Sequence, residues 1–144
     1  MSMDAHYRLL LILWLALLVS IFGFFLISRL LTSESKDANP VNILFWILLA
    51  LGGLTFGLSF FFKQMFLTNA VDKQNTFLVQ QGYVIAWALC ELTCLCGLLG
   101  YIVTHAPHYY ALFVIAVIGF LLHMPRRHHL LAASVQDQGG GFKG

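Results

Sequence analysis

The sequence predicts an all-α membrane protein, a bundle of four transmembrane helices arranged as two helical hairpins. Three observations point there. Of 144 residues, 60% are hydrophobic and only 10% are charged, against roughly 25% charged in an ordinary soluble domain. The mean hydropathy is +0.84. The apolar residues fall into four runs, each near the roughly 20 residues a helix needs to cross a hydrocarbon core.

The runs are 9–27, between Arg8 and Arg29; 43–62, between Asn42 and Lys63; 83–103, interrupted only by Glu91; and 107–124, opened by Pro107 and closed by Pro125. Proline suits a first helical turn and ends a helix that reaches it. The first run exceeds the 7–15 apolar residues of a signal peptide and lacks a following Ala-x-Ala site, so it reads as a retained helix. Residues 1–131 are expected to form one membrane domain. The last residues, 132–144, include "QDQGGGFKG" and read as a glycine-rich disordered tail. The stretch 63–82 reads as two helix extensions joined by a turn near Asp72–Gln74.

Four crossings put both termini on one side. Arg8, Lys63, Lys73, Arg126, Arg127 and Lys143 fall on that side, and Arg29 and Lys36 on the other. Cytoplasmic loops are enriched in Lys and Arg, which predicts cytoplasmic termini in a cytoplasmic or inner membrane. Arg126 and Arg127, in "PRRHH", are candidates for contact with anionic lipid headgroups. Trp14, Trp46 and Trp87 read as interfacial anchors. A net charge of +2 without a basic face does not point to nucleic acid.

Within lipid, helices associate through small residues that let backbones approach. The third run carries Ala86, Cys90, Thr93, Gly97, Gly100 and Thr104 at alternating spacings of four and three, one continuous seam. The second carries Ala50, Gly53 and Gly57, and the first Ala16, Ser20 and Gly23. The expected tight pair is therefore antiparallel, the second helix on the third. Cys90, with Cys94 and Cys96, reads as packing; three sulfurs on one helix without a histidine at their depth do not resemble a metal set. His105 and His108 flank Pro107, and His123, His128 and His129 surround "MPRR"; these read as interfacial residues. No metal or cofactor is expected.

Glu91 stands out. It lies about 3 Å from the midpoint of its run, where a charged carboxylate costs at least about 2.5–3.5 kcal/mol. No Lys or Arg shares a run with it. It is expected to be neutral and to donate a hydrogen bond, with Thr55 and Ser20 as candidate acceptors at similar depth. Two readings follow: a proton or cation site, or an interhelical hydrogen bond.

The order Ala88, Leu89, Cys90, Glu91, continued by Leu95 and Leu98, resembles the carboxylate-bearing helix of the rotary ATP synthase c subunit. The resemblance covers the hairpin at 43–103. It implies a proton-binding role for Glu91 and a cytoplasmic 63–82 loop. The hairpin departs from that family in its sparse glycines, its bulky Phe56, Phe60, Phe61 and Phe62, and a loop without arginine or proline.

No paired acids, Ser/His pair or histidine-rich metal helix suggests an enzyme. The sequence thus predicts a small polytopic membrane protein, a non-enzymatic structural or accessory subunit of a membrane complex. Its expected partners are lipid and other membrane subunits or a second copy. The alternative is a proton- or cation-coupled transport component, similar to the c subunit, that uses Glu91.

Overall fold

The computed structural model describes residues 3–30, 43–104 and 108–134. Among these residues the protein is all-helical: α1 (Met3–Leu30), α2 (Ile43–Asp72), α3 (Thr76–Thr104), α4 (Tyr110–Leu122) and α5 (Arg127–Ser134). Three of the helices, α1, α2 and α3, are long and apolar enough to cross a membrane. α4 and α5 pass the same test only as a pair, bent by 51°.

Each long helix overshoots its apolar run. α2 and α3 have 30 and 29 residues, about 45 Å each. Helical hydrogen bonding satisfies every interior backbone group, the only economical solution where water is absent, and no proline interrupts these segments. Their isolated hydroxyls are absorbed locally. Ser28, Thr55 and Ser59 each donate to a carbonyl three residues back.

The turn between α2 and α3 falls where the sequence predicts. Gln74 adopts φ 50°. The amide of Asn75 donates to the Ala70 carbonyl at 3.0 Å and that of Gln74 to Val71 at 3.2 Å. This is the paired 6→1 and 5→2 pattern that closes a helix C-terminus. Asn75 then caps α3, its Oδ1 accepting from the Phe77 amide at 2.9 Å. The chain reverses in three residues, so α2 and α3 pack antiparallel along their length and form the most extensive pair.

The fourth predicted span is shorter than expected. α4 begins at Tyr110, not at Pro107, which lies outside the described residues. It ends at Leu122, about 20 Å later. The chain then breaks at His123–Arg126 around Pro125 and turns into α5. Helix extends to Ser134, three residues beyond the predicted end of the bundle at 131; residues 135–144, most of the predicted tail, lie outside the described residues.

One end of the molecule gathers the α1 N-terminus, the α2–α3 turn and α5. His6 hydrogen bonds Gln80, the Arg127 guanidinium stands 4.7 Å over the Tyr7 ring, and Lys63 meets His123. Arg29, in the last turn of α1, marks the opposite end.

The glycine seams need correction on α2 and α1. On α3 the predicted residues up to Gly100 are buried, and Gly97 and Gly100 do receive neighbours. A Cβ at Gly97 would stand 3.0 Å from Leu112 of α4, and one at Gly100 3.6 Å from Phe45 of α2. On α2, however, Ala50, Gly53 and Gly57 are exposed, and a Cβ at Gly53 or Gly57 would meet nothing within 4 Å. The packed positions there are Gly52, Thr55 and Ser59, one register away. Gly52 is the true close approach, since a Cβ there would lie 2.6 Å from Leu112. On α1, Ala16 is exposed and Gly23 has open space; bulky Leu10, Trp14 and Ile21 form its buried face. Gly52, Thr55 and Ser59 form a second small-residue row beside Gly53 and Gly57, and spacing alone does not say which one a partner fills.

Candidate functional site

The sequence directs attention to Glu91, Thr55 and Ser20. The fold engages Thr55 elsewhere. Thr55 Oγ1 lies 2.9 Å from Thr93 Oγ1 and donates to the Gly52 carbonyl at 2.9 Å. With the one Thr55 proton on the Gly52 carbonyl, Thr93 is the donor of the pair. The two threonines thus bond across α2 and α3, and Thr55 is engaged there and not with Glu91. Glu91 is half-buried at the edge of the α3 face, beside Trp87 and Cys94, which join the apolar cluster containing Leu10, Trp14 and Ile21 of α1. α1 and α3 run in the same direction from the His6–Gln80 contact. Counting along both helices from there puts Leu17 level with Glu91 and Ser20 about 4.5 Å beyond. Ser20 is half-buried.

A second polar group, which the sequence does not announce, lies at the α5 end. Ser59 and Lys63 are one turn apart on α2. Tyr83, Trp87 and Cys90 follow one stripe of α3. His123 ends α4, its amide donating to the Gly119 carbonyl at 2.9 Å. The break before Pro125 turns the His123 ring inward, and it is fully buried.

With Lys63 as an ammonium, the hydrogen bonds assign a direction to each proton. Lys63 Nζ stands 3.3 Å from His123 Nδ1. A lysine ammonium has donors only, so Nδ1 accepts. The ring proton is then on Nε2, which donates to Ser59 Oγ at 2.9 Å. Ser59 donates onward to the Phe56 carbonyl at 2.6 Å, and Cys90 Sγ donates weakly to Ser59 at 3.9 Å. The His123 carbonyl accepts from Trp87 Nε1 at 3.0 Å. Among the described residues no buried side-chain polar atom is left without a partner.

The cluster continues toward the surface. The Lys63 ammonium sits 4.9 Å over the Tyr83 ring, a cation–π geometry. The Tyr83 hydroxyl meets His129 Nδ1 at 2.6 Å and accepts from the Arg126 amide at 3.2 Å. Four elements, α2, α3, α5 and the end of α4, thus converge on one set of side chains.

Several sequence expectations are revised here. His123 is a buried structural hub, not an interfacial histidine. Trp14 and Trp87 are not interfacial anchors: both are buried, and Trp14 Nε1 donates to the Phe120 carbonyl at 2.9 Å. Only Trp46 of the three is exposed. Cys90, Cys94 and Cys96 are all buried and unpaired with one another. Among the described residues no three His, Cys, Asp or Glu side chains gather as a metal set. Arg126 and Arg127 are exposed at the α5 end. His105 lies outside the described residues. The Ser/His pair missing from the linear sequence is formed by the fold, from residues 64 positions apart.

Neither protein-family models, curated proteins nor solved structures match the chain.

Proposed function

We propose that this chain is a small polytopic membrane protein that acts as a non-enzymatic structural or accessory subunit. It crosses the bilayer four times, with the bent α4–α5 pair as its fourth crossing and both termini in the cytoplasm. The observation that carries the reading is the fully buried His123, held at both ring nitrogens by α2. A serine hydrolase needs a histidine whose free nitrogen takes the serine proton. Here Nε2 carries the proton and points it at Ser59, while Ser59 gives its own to a backbone carbonyl. The group is arranged to clamp helices and has no base to offer a substrate.

The polarity of the molecule supports the topology. Arg8, Lys63, Lys73, Arg126 and Arg127 belong to the α5 end and Arg29 to the other, the asymmetry expected of a cytoplasmic face. The exposed Gly53 and Gly57 supply a close-approach stripe for a helix of another subunit.

The test has two parts. In native membranes the tagged chain should migrate on a non-denaturing gel in an assembly larger than its own mass, and Gly53→Leu with Gly57→Leu should release it. Ser59 in the purified chain should not react with a fluorophosphonate probe. Labelling at Ser59 that is lost in His123→Gln would overturn the non-enzymatic reading.

A second reading keeps Glu91 as a proton or cation site in a transport component similar to the c subunit. It is favoured by one observation: Thr55, the expected hydrogen-bond acceptor, is committed to Thr93 and Gly52. Proton flux through vesicles containing the purified chain, abolished by Glu91→Gln, would establish this reading over the first.

A further inference from the structure

Between α1 and α4, at the end away from the polar cluster, lies an open cavity of about 670 Å³. The two helices are antiparallel there. Trp14 bonds the Phe120 carbonyl beneath the cavity, and the Phe25 and Phe113 rings meet edge-on at 5.7 Å along its back. Its α1 wall runs from Ile21 to Arg29 and its α4 wall from Ile118 back to Tyr109. Both walls are about 12–14 Å long at 1.5 Å per residue. One leaflet of a bilayer is about 15 Å of hydrocarbon, half of roughly 30 Å.

The polarity of this groove is graded. Its deep end is aliphatic, its middle is phenylalanine, and its mouth holds Arg29 with Tyr109 and Tyr110. The guanidinium stands 6.0 Å over Phe25, so its charge is held beside the groove. Among the described residues, Arg29 is the one charged residue lining the cavity. An apolar slot as long as one leaflet, with a single cation at the headgroup level, complements a particular class of molecule. We propose that the α1–α4 groove binds one acyl chain of an anionic phospholipid from the Arg29-side leaflet, with its phosphate on the Arg29 guanidinium. A bidentate guanidinium–phosphate contact gives such a site its headgroup preference, and the aromatic walls give it a fixed shape.

The proposal rests on membrane insertion, which resistance of the chain to extraction by alkaline carbonate tests separately. The groove itself is tested by native mass spectrometry of the full chain released from mixed vesicles of phosphatidylglycerol and phosphatidylcholine. The wild type should retain one phosphatidylglycerol with about fivefold preference, the scale of a single cation–headgroup interaction. Arg29→Gln should bind both lipids without preference. Val114→Trp, which fills the groove from an exposed position, should lose both; Phe22→Trp, on the opposite wall, provides the same test should the first variant not fold. An unchanged preference in Arg29→Gln overturns the headgroup assignment. A second copy of the chain bound in place of lipid, released by Val114→Trp, overturns the proposal as a whole.

Discussion

The Ser59 hydroxyl lies 2.9 Å from Nε2 of His123, although the two residues are 64 positions apart. This contact ties the middle of α2 to the end of α4, and Lys63 holds the other face of the same ring. Because His123 is fully buried, losing one partner strands a polar nitrogen in an apolar interior. Ser59→Ala is therefore expected to destabilise the chain by about 1–3 kcal/mol. His123→Phe removes the ring nitrogen that Ser59→Ala would strand, so it should cost less when added to Ser59→Ala than alone. A double-mutant cycle by thermal unfolding in detergent measures this coupling; additive effects would show that the contact contributes nothing.

The glycines separate into two classes. Gly52→Leu places a side chain where even a Cβ would lie 2.6 Å from Leu112, and overpacking of this kind costs about 1–3 kcal/mol or more. Gly97→Leu should behave similarly, against Leu112 and Phe113. Gly53→Leu faces open space and should leave the isolated chain within about 0.5 kcal/mol of wild type. Equal losses at Gly52 and Gly53 would contradict the register of α2.

The threonine pair predicts a smaller effect. Thr55→Val keeps the shape and removes the 2.9 Å bond to Thr93. Interhelical hydrogen bonds of this kind contribute about 0.6–1.7 kcal/mol. The thermal midpoint in detergent should fall modestly, without loss of the folded state.

At the α2–α3 turn, Gln74 occupies a positive-φ position that a side chain disfavours by about 1–2 kcal/mol. Gln74→Gly should raise stability slightly, while Asn75→Ala, which removes the α3 cap, should lower it by about 0.5–2 kcal/mol. Chemical unfolding of the two variants checks the opposite signs.

Much of the fold is legible in the sequence because a bilayer imposes a simple length rule on apolar runs. The first three runs became α1, α2 and α3, and the turn near Asp72–Gln74 fell in place because its flanking segments contain no helix breaker. The fourth run did not give a full-length helix, because Pro125 and the buried His123 carbonyl bond to Trp87 divert the chain after Leu122. The seam on α3 was readable, since Ala86, Cys90, Thr93, Gly97 and Gly100 keep one unbroken spacing and all are buried. That on α2 was not, since Gly52 and Gly53 are adjacent and belong to different faces. The polar cluster was hidden for a different reason. Ser59, Lys63 and His123 each look like an ordinary end-of-span residue, and only the packing of α4 against α2 brings them together.

The most direct test of the account is the number of crossings, because α4 alone is short and the proposed fourth crossing needs the bent α4–α5 pair. Reporter fusions after residue 144 and within 31–42 measure it. The account predicts a cytoplasm-active reporter at the C-terminus and an externally active one in the 31–42 segment. An externally active reporter at residue 144 would mean three crossings and would contradict it.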